Sequence, residues 1–208
     1  MTSKELSLLE GTALKTAFIA YFKPWALTSS CSELLKEMSS KIIEVTYDEN
    51  LKIYFKNDDD DDDDDDVQIT FGKPYKGAFQ DSPFTVPKSY KTVVEMHNTI
   101  IFGEGIPYGI GFHGYNGKVP WSGFATDQLK ADQERHQGFC DAGQNWIIWD
   151  HQRKNALGEP VIIIVDHGLA VEDNDDFPEQ DEIAFGTGGL FIRLMSQFIL
   201  DNPKYNWE

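Results

Sequence analysis

Between Ile42 and Gly72, three segments, IIEVTYD, LKIYFKN and VQITFG, alternate apolar and polar residues with a period of two. A strand sends successive side chains to opposite faces, so Leu51, Ile53 and Phe55 share one face and Lys52, Tyr54 and Lys56 the other. The first connection, Asp48-Glu49-Asn50, is too short for a crossover and restricts its strands to antiparallel pairing. The second is the run of nine aspartates from Asp58 to Asp66. These features predict a three-stranded meander. Adjacent like charges repel and cannot bury apolar surface, so the run predicts an extended loop; a calcium loop needs spaced ligands, a turn glycine and a bidentate acid.

Ahead of the meander, Leu6, Leu8, Leu9, Leu14, Ala17, Phe18 and Tyr21 make a partly helical pattern, broken at Gly11 and stopped by Pro24, and a second helix is predicted over Ser32 to Ser40. Downstream, Pro87 opens a helix with Tyr90, Val93, Val94 and His97 on one face, which makes His97 a core histidine. Residues 100–121 hold six glycines, and Gly109-Ile110-Gly111-Phe112-His113-Gly114 matches G-x-G-x-x-G in form. A dinucleotide loop must open a helix whose N-terminus receives the pyrophosphate, whereas YNGKVPW reads as a turn and a strand. The stretch predicts a glycine-kinked strand, where missing side chains permit bending or close approach. Thr126 to Gln137 has a capping start and almost no apolar face, predicting a short exposed helix or an ordered loop. A core-facing helix with Leu190, Phe191, Leu194, Met195 and Phe198 closes the chain, stopped by Asn202-Pro203.

Two apolar runs, NWIIWDH and VIIIVDH, each end in Asp-His. The ten residues between Asp150 and Val161, HQRKNALGEP, are too few for a helical crossover, so the runs form an antiparallel hairpin. Asp150-His151 then falls at the turn end and Asp166-His167 at the far end, about 17 Å away at ~3.4 Å per residue, too far for one metal to bridge. The expectation is that both dipeptides end their strands by hydrogen-bonding the departing backbone. No H-E-x-x-H, C-x-x-C or G-x-S-x-G pattern is present, and His136 four residues before Cys140 is weak support for a thiol nucleophile.

With 18 basic and 35 acidic residues the net charge is −17, and the balance stays acidic without the aspartate run. That field repels phosphate backbones, which argues against nucleic-acid partners, and attracts basic proteins. Cys31 and Cys140 fit neither metal-ligand spacing nor a disulfide framework, as expected of free thiols in a cytoplasmic protein. The start of the chain lacks an apolar signal core, and no apolar run approaches the length needed to cross a membrane.

The order of elements from residue 84 to 201, carried by Pro87-Lys88-Ser89-Tyr90-Lys91, Trp149-Asp150, Pro160-Val161 and Leu190 to Leu200, resembles the SUKH superfamily. That superfamily includes fungal cell-wall synthesis regulators and bacterial immunity proteins. The resemblance implies an α+β fold, a curved, mainly antiparallel sheet with helices packed on it, no cofactor, no metal, and function by protein binding. Residues 1–75 lie outside the resemblance and are expected to join the rest in a single domain. The implied function is non-enzymatic: an immunity protein that neutralises a toxin domain by direct binding, the partner being a basic protein. Aromatics and Arg dominate interface hot spots, so Tyr115, Trp121, Trp149, His151 and Arg153 are the candidate contact residues; each also fits a core or turn position, and Trp149, within an apolar strand, fits the core better. Two alternatives stand beside this reading: a regulatory interaction protein with several weaker partners, and a metal-dependent hydrolase using His113 with one Asp-His pair.

Overall fold

The computed structural model describes residues 1–56, 67–81, 84–103, 110–117, 119, 135–142, 145–165 and 186–200. It is an α+β protein built on an eight-stranded antiparallel sheet whose strands pair in chain order. The predicted meander is β1 (Ile42–Tyr47), β2 (Leu51–Phe55) and β3 (Val67–Phe71), with Ile53 opposite Val45 on one side and Ile69 on the other. Asp48 closes its first turn by accepting the amide of Asn50 at 3.0 Å. Through Ile69 and Phe102, β3 pairs with β4 (Ile100–Phe102), so the amino-terminal strands belong to the same sheet as the later ones. The sheet continues through β5 (Ile110–Phe112), β6 (His136–Ala142), β7 (Asn145–Lys154) and β8 (Pro160–Val165). The sheet is not strongly curled, contrary to the curvature expected of it. The aspartate run, and most of the segment Thr126 to Gln137 read as a short exposed helix or an ordered loop, lie outside the described residues. His136 and Gln137, the end of that segment, are strand residues in β6.

Helices α1 (Ser3–Leu6) and α2 (Gly11–Phe22) divide at Gly11, whose φ of 53° costs little without a Cβ. Thr2 and Glu5 form a capping box on α1, satisfying two amides that the first turn cannot pair. α2 ends at Phe22, ahead of Pro24 as expected, and Pro24 sits inside a 3₁₀ turn, Lys23–Trp25, that follows it. α3 (Ser29–Lys41) starts three residues before its predicted bound because the Thr28 hydroxyl accepts the Cys31 amide at 3.3 Å. α4 (Lys88–Met96) and α5 (Gly186–Leu200) complete the helical layer.

One sheet face supplies Leu51, Ile53, Phe55, Ile69, Phe71, Ile100, Phe102, Phe112, Ile147, Trp149, Ile162 and Ile164 to a core shared with the helices. Burying each such side chain is worth about 1.5–3 kcal/mol, and the helix side chains packed on this face add to the same core. Trp25 packs on Phe22 and Phe71 and, across α5, on Phe191. The close approach there needs Gly188, where a Cβ would lie 2.8 Å from the Trp25 Cα. A charged link joins three elements: Glu159, in the β7–β8 turn, accepts the Ser89 amide at 2.7 Å near the start of α4 and also the Ser89 hydroxyl. That hydroxyl in turn accepts the Thr187 amide of α5 at 2.8 Å. A carboxylate among the unpaired amides of helix N-termini is stabilised by both hydrogen bonds and helix dipoles.

Candidate functional site

The expected β7–β8 hairpin forms, but the first Asp-His pair does not end its strand. β7 runs on to Lys154, with a register shift between Asp150 and Lys154, and the turn is Asn155 to Glu159. Trp149 points into the helix-side core. Asp150, one residue on, therefore points to the opposite face, opposite Val161. The Asp150 side chain does accept a backbone amide two residues ahead, that of Gln152 at 3.0 Å, but it does so within the strand and supports the irregularity there. Asp166 and His167 lie outside the described residues.

Asp150 is fully buried, and an isolated carboxylate at such a position would be costly. Arg135, at the start of β6, grips it with two bonds, Nε to Oδ1 at 3.0 Å and Nη2 to Oδ2 at 2.8 Å. Arg153 adds Nε to Oδ2 at 2.7 Å. With the Gln152 amide these four bonds fill the four lone-pair sites of the carboxylate. Burial by itself would raise the Asp150 pKa; the two guanidiniums and the Gln152 amide outweigh it and hold the group well below the usual carboxylate range. The two arginine side chains remain about a third exposed, at 33% and 32%.

His151 follows on the other face. Its ring stacks on Phe84 at 3.8 Å with an interplanar angle of 5°, meets Trp149 edge-on, and places Nε2 3.0 Å from the Gln137 Oε1. Burial, then the Lys154 charge, lowers its pKa to about 4 against the opposing pull of Asp150, so at neutral pH the ring is uncharged and Nε2–H donates to Gln137. The result is two fixed groups at one end of β6 and β7: Arg135 and Arg153 around a saturated carboxylate on one face, and His151 with Phe84 and Gln137 on the other.

Of the five candidate contact residues, Arg153 belongs to the first of these groups and His151 to the second. Trp149 lies beside His151 and is 1% exposed, stacked on Phe139 at 4.2 Å and edge-on to Tyr90. Tyr115 is also fully buried: Asn98 holds it by accepting its amide at 2.7 Å and donating to its carbonyl at 2.8 Å, and its hydroxyl accepts the Gln80 amide. These two side chains shape the interior, because their apolar area and hydrogen bonds are already used within the chain. Trp121 lies outside the described residues. His113 is exposed, and among the described residues no group of three or more His, Cys, Asp or Glu could hold a metal ion. Arg135, Gln137 and Phe84 were invisible to sequence reasoning, since their partners are 14 residues or more away along the chain.

A second polar group runs from the surface into the core. The Ser3 hydroxyl lies 2.8 Å from the Tyr21 hydroxyl, which lies 2.8 Å from His97 Nε2, and His97 Nδ1 is 3.0 Å from the Gly72 carbonyl. His97 is the core histidine its helical spacing predicted, 1% exposed among Phe22, Trp25 and Phe71. Burial lowers its pKa to about 4, opposed by the bond to Gly72.

Comparison with protein-family models gave no match, and comparison with curated proteins and with solved structures gave none either. Among the described residues no helix is long and apolar enough to cross a membrane.

Proposed function

We propose that this chain is a non-enzymatic binding protein of the SUKH type, an immunity protein that neutralises a basic toxin domain by direct contact. The observation that carries the reading is the state of Asp150. Its lone pairs are all engaged, so it offers none to a metal or a substrate proton, and its effect is to hold Arg135 and Arg153 in set positions. Arginine and aromatic side chains are enriched in binding hot spots, and side chains ordered in advance lose less entropy on docking. The group Arg135, Arg153, His151 and Phe84 is the proposed anchor, and the net charge of −17 supplies long-range attraction for a basic partner.

Affinity capture from native lysate at low and high salt, followed by mass spectrometry, tests the proposal. A single stoichiometric basic partner, retained at low salt and weakened at high salt, whose toxicity in a host cell is relieved by co-production of this chain, is the expected result. Several weak partners, none of them toxic, would favour a regulatory interaction protein.

A further inference from the structure

The polar chain that starts at Ser3 opens into a cleft of about 530 Å3, within the size range of small-molecule sites. Lys4, Lys76 and Glu95 line this cleft together with Tyr47 and Met96, and among the described residues none of those three charged side chains has a hydrogen-bond or ion-pair partner. Two unpaired lysines converging on one cleft are a local exception in so acidic a chain.

Hydrogen-bond direction fixes what Ser3 presents there. A carbonyl can only accept, so His97 Nδ1 carries the proton given to Gly72, and the neutral ring leaves Nε2 as an acceptor. Tyr21 must therefore donate to Nε2, and its oxygen receives the proton of Ser3. The one hydroxyl proton of Ser3 is committed inward, and its lone pairs face the cleft. A ligand must bring an N–H or O–H donor to this point. A ligand acceptor would oppose lone pair to lone pair unless the chain took up a proton at His97.

We propose that this cleft binds a small zwitterion of the free α-amino-acid class, with its ammonium received by Ser3 Oγ and Glu95 and its carboxylate by Lys4 and Lys76. Met96 and Tyr47 offer the wall for an apolar side chain, so phenylalanine and methionine are the suitable probes.

The test titrates L-phenylalanine and L-methionine into the full chain and follows backbone amide shifts. N-acetyl-L-phenylalanine, which lacks the ammonium, and L-phenylalanine amide, which lacks the carboxylate, are the controls. Saturable binding is expected, weakened about tenfold in either control and about fivefold by Ser3→Ala or Lys76→Glu, with circular dichroism confirming that both variants stay folded. Absence of a saturable shift up to about 20 mM of either amino acid would overturn the proposal, as would equal affinity for the blocked probes or unchanged affinity in both variants.

Discussion

Protonation of His97 is the clearest physical consequence of the interior arrangement. Its pKa is about 4 in the fold and about 6.5 in an unfolded chain, because imidazolium cannot be solvated among Phe22, Trp25 and Phe71, an effect only partly offset by the bond to Gly72. A lowered pKa means that the unfolded state binds the proton first. The stabilising contribution is therefore complete above about pH 6.5 and is lost as the pH falls toward 4. A difference of about 2.5 pH units at ~1.36 kcal/mol each amounts to about 3 kcal/mol, and since the ring is 1% exposed little of this is screened by water. Other groups titrate in the same interval, so the measurement should be a difference. Urea unfolding of the wild type and of His97→Phe is compared at steps between pH 7 and 4. The variant is less stable at pH 7, having lost two hydrogen bonds, and the gap between the two should close by about 3 kcal/mol at pH 4. A gap independent of pH would refute the reasoning and place the ring in contact with solvent.

Further substitutions probe the other features. Gly114→Ala should cost on the order of 3 kcal/mol or prevent folding, read from the urea midpoint, because its φ is 68° and a Cβ would lie 1.8 Å from the Asn98 carbonyl oxygen. Asp150→Asn should destabilise by about 2 kcal/mol, less than for a wholly buried pair because both arginines are partly exposed, and acidification below about pH 4 should erode the same contribution in the wild type. Tyr90→Phe should leave the melting temperature unchanged or raise it, by up to about 1 kcal/mol of stability, since its buried hydroxyl has no hydrogen-bond partner among the described residues and removing it leaves the packing against Trp149 in place.

The elements legible in the sequence were those whose periodicity is enforced by one buried face. Leu51, Ile53 and Phe55 could sit on a common surface in one way only, and Tyr90, Val93 and Val94 define a helical stripe that also identified His97 as interior. β6 gave no such signal. HQGFCDA lacks alternation because a register shift between Gly138 and Cys140 lets both Phe139 and Cys140 be buried. The continuation of β7 through Gln152 to Lys154 was hidden for a related reason: these residues are polar, the pairing is irregular, and nothing local distinguishes them from a turn. The site depended on contacts distant in sequence. Asp150 looked like a strand terminator until Arg135 was brought beside it by the β6–β7 register, and Ser3 gained meaning only through Tyr21 and His97. Burial removed Tyr115 from the contact surface, since aromatic identity alone cannot separate a core side chain from an exposed anchor, whereas the apolar run around Trp149 already pointed to its interior position.

The measurement that bears most directly on the proposed function repeats partner capture with wild-type protein, a His151→Ala/Arg153→Glu double variant and a Ser3→Ala control, all checked for fold by circular dichroism. The account predicts one basic, stoichiometric partner on the wild type and on Ser3→Ala, and its loss from the double variant, since His151 and Arg153 belong to the anchor group. A folded double variant that captures the same partner as strongly as the wild type, or a wild type that captures no basic partner at low salt, would contradict it.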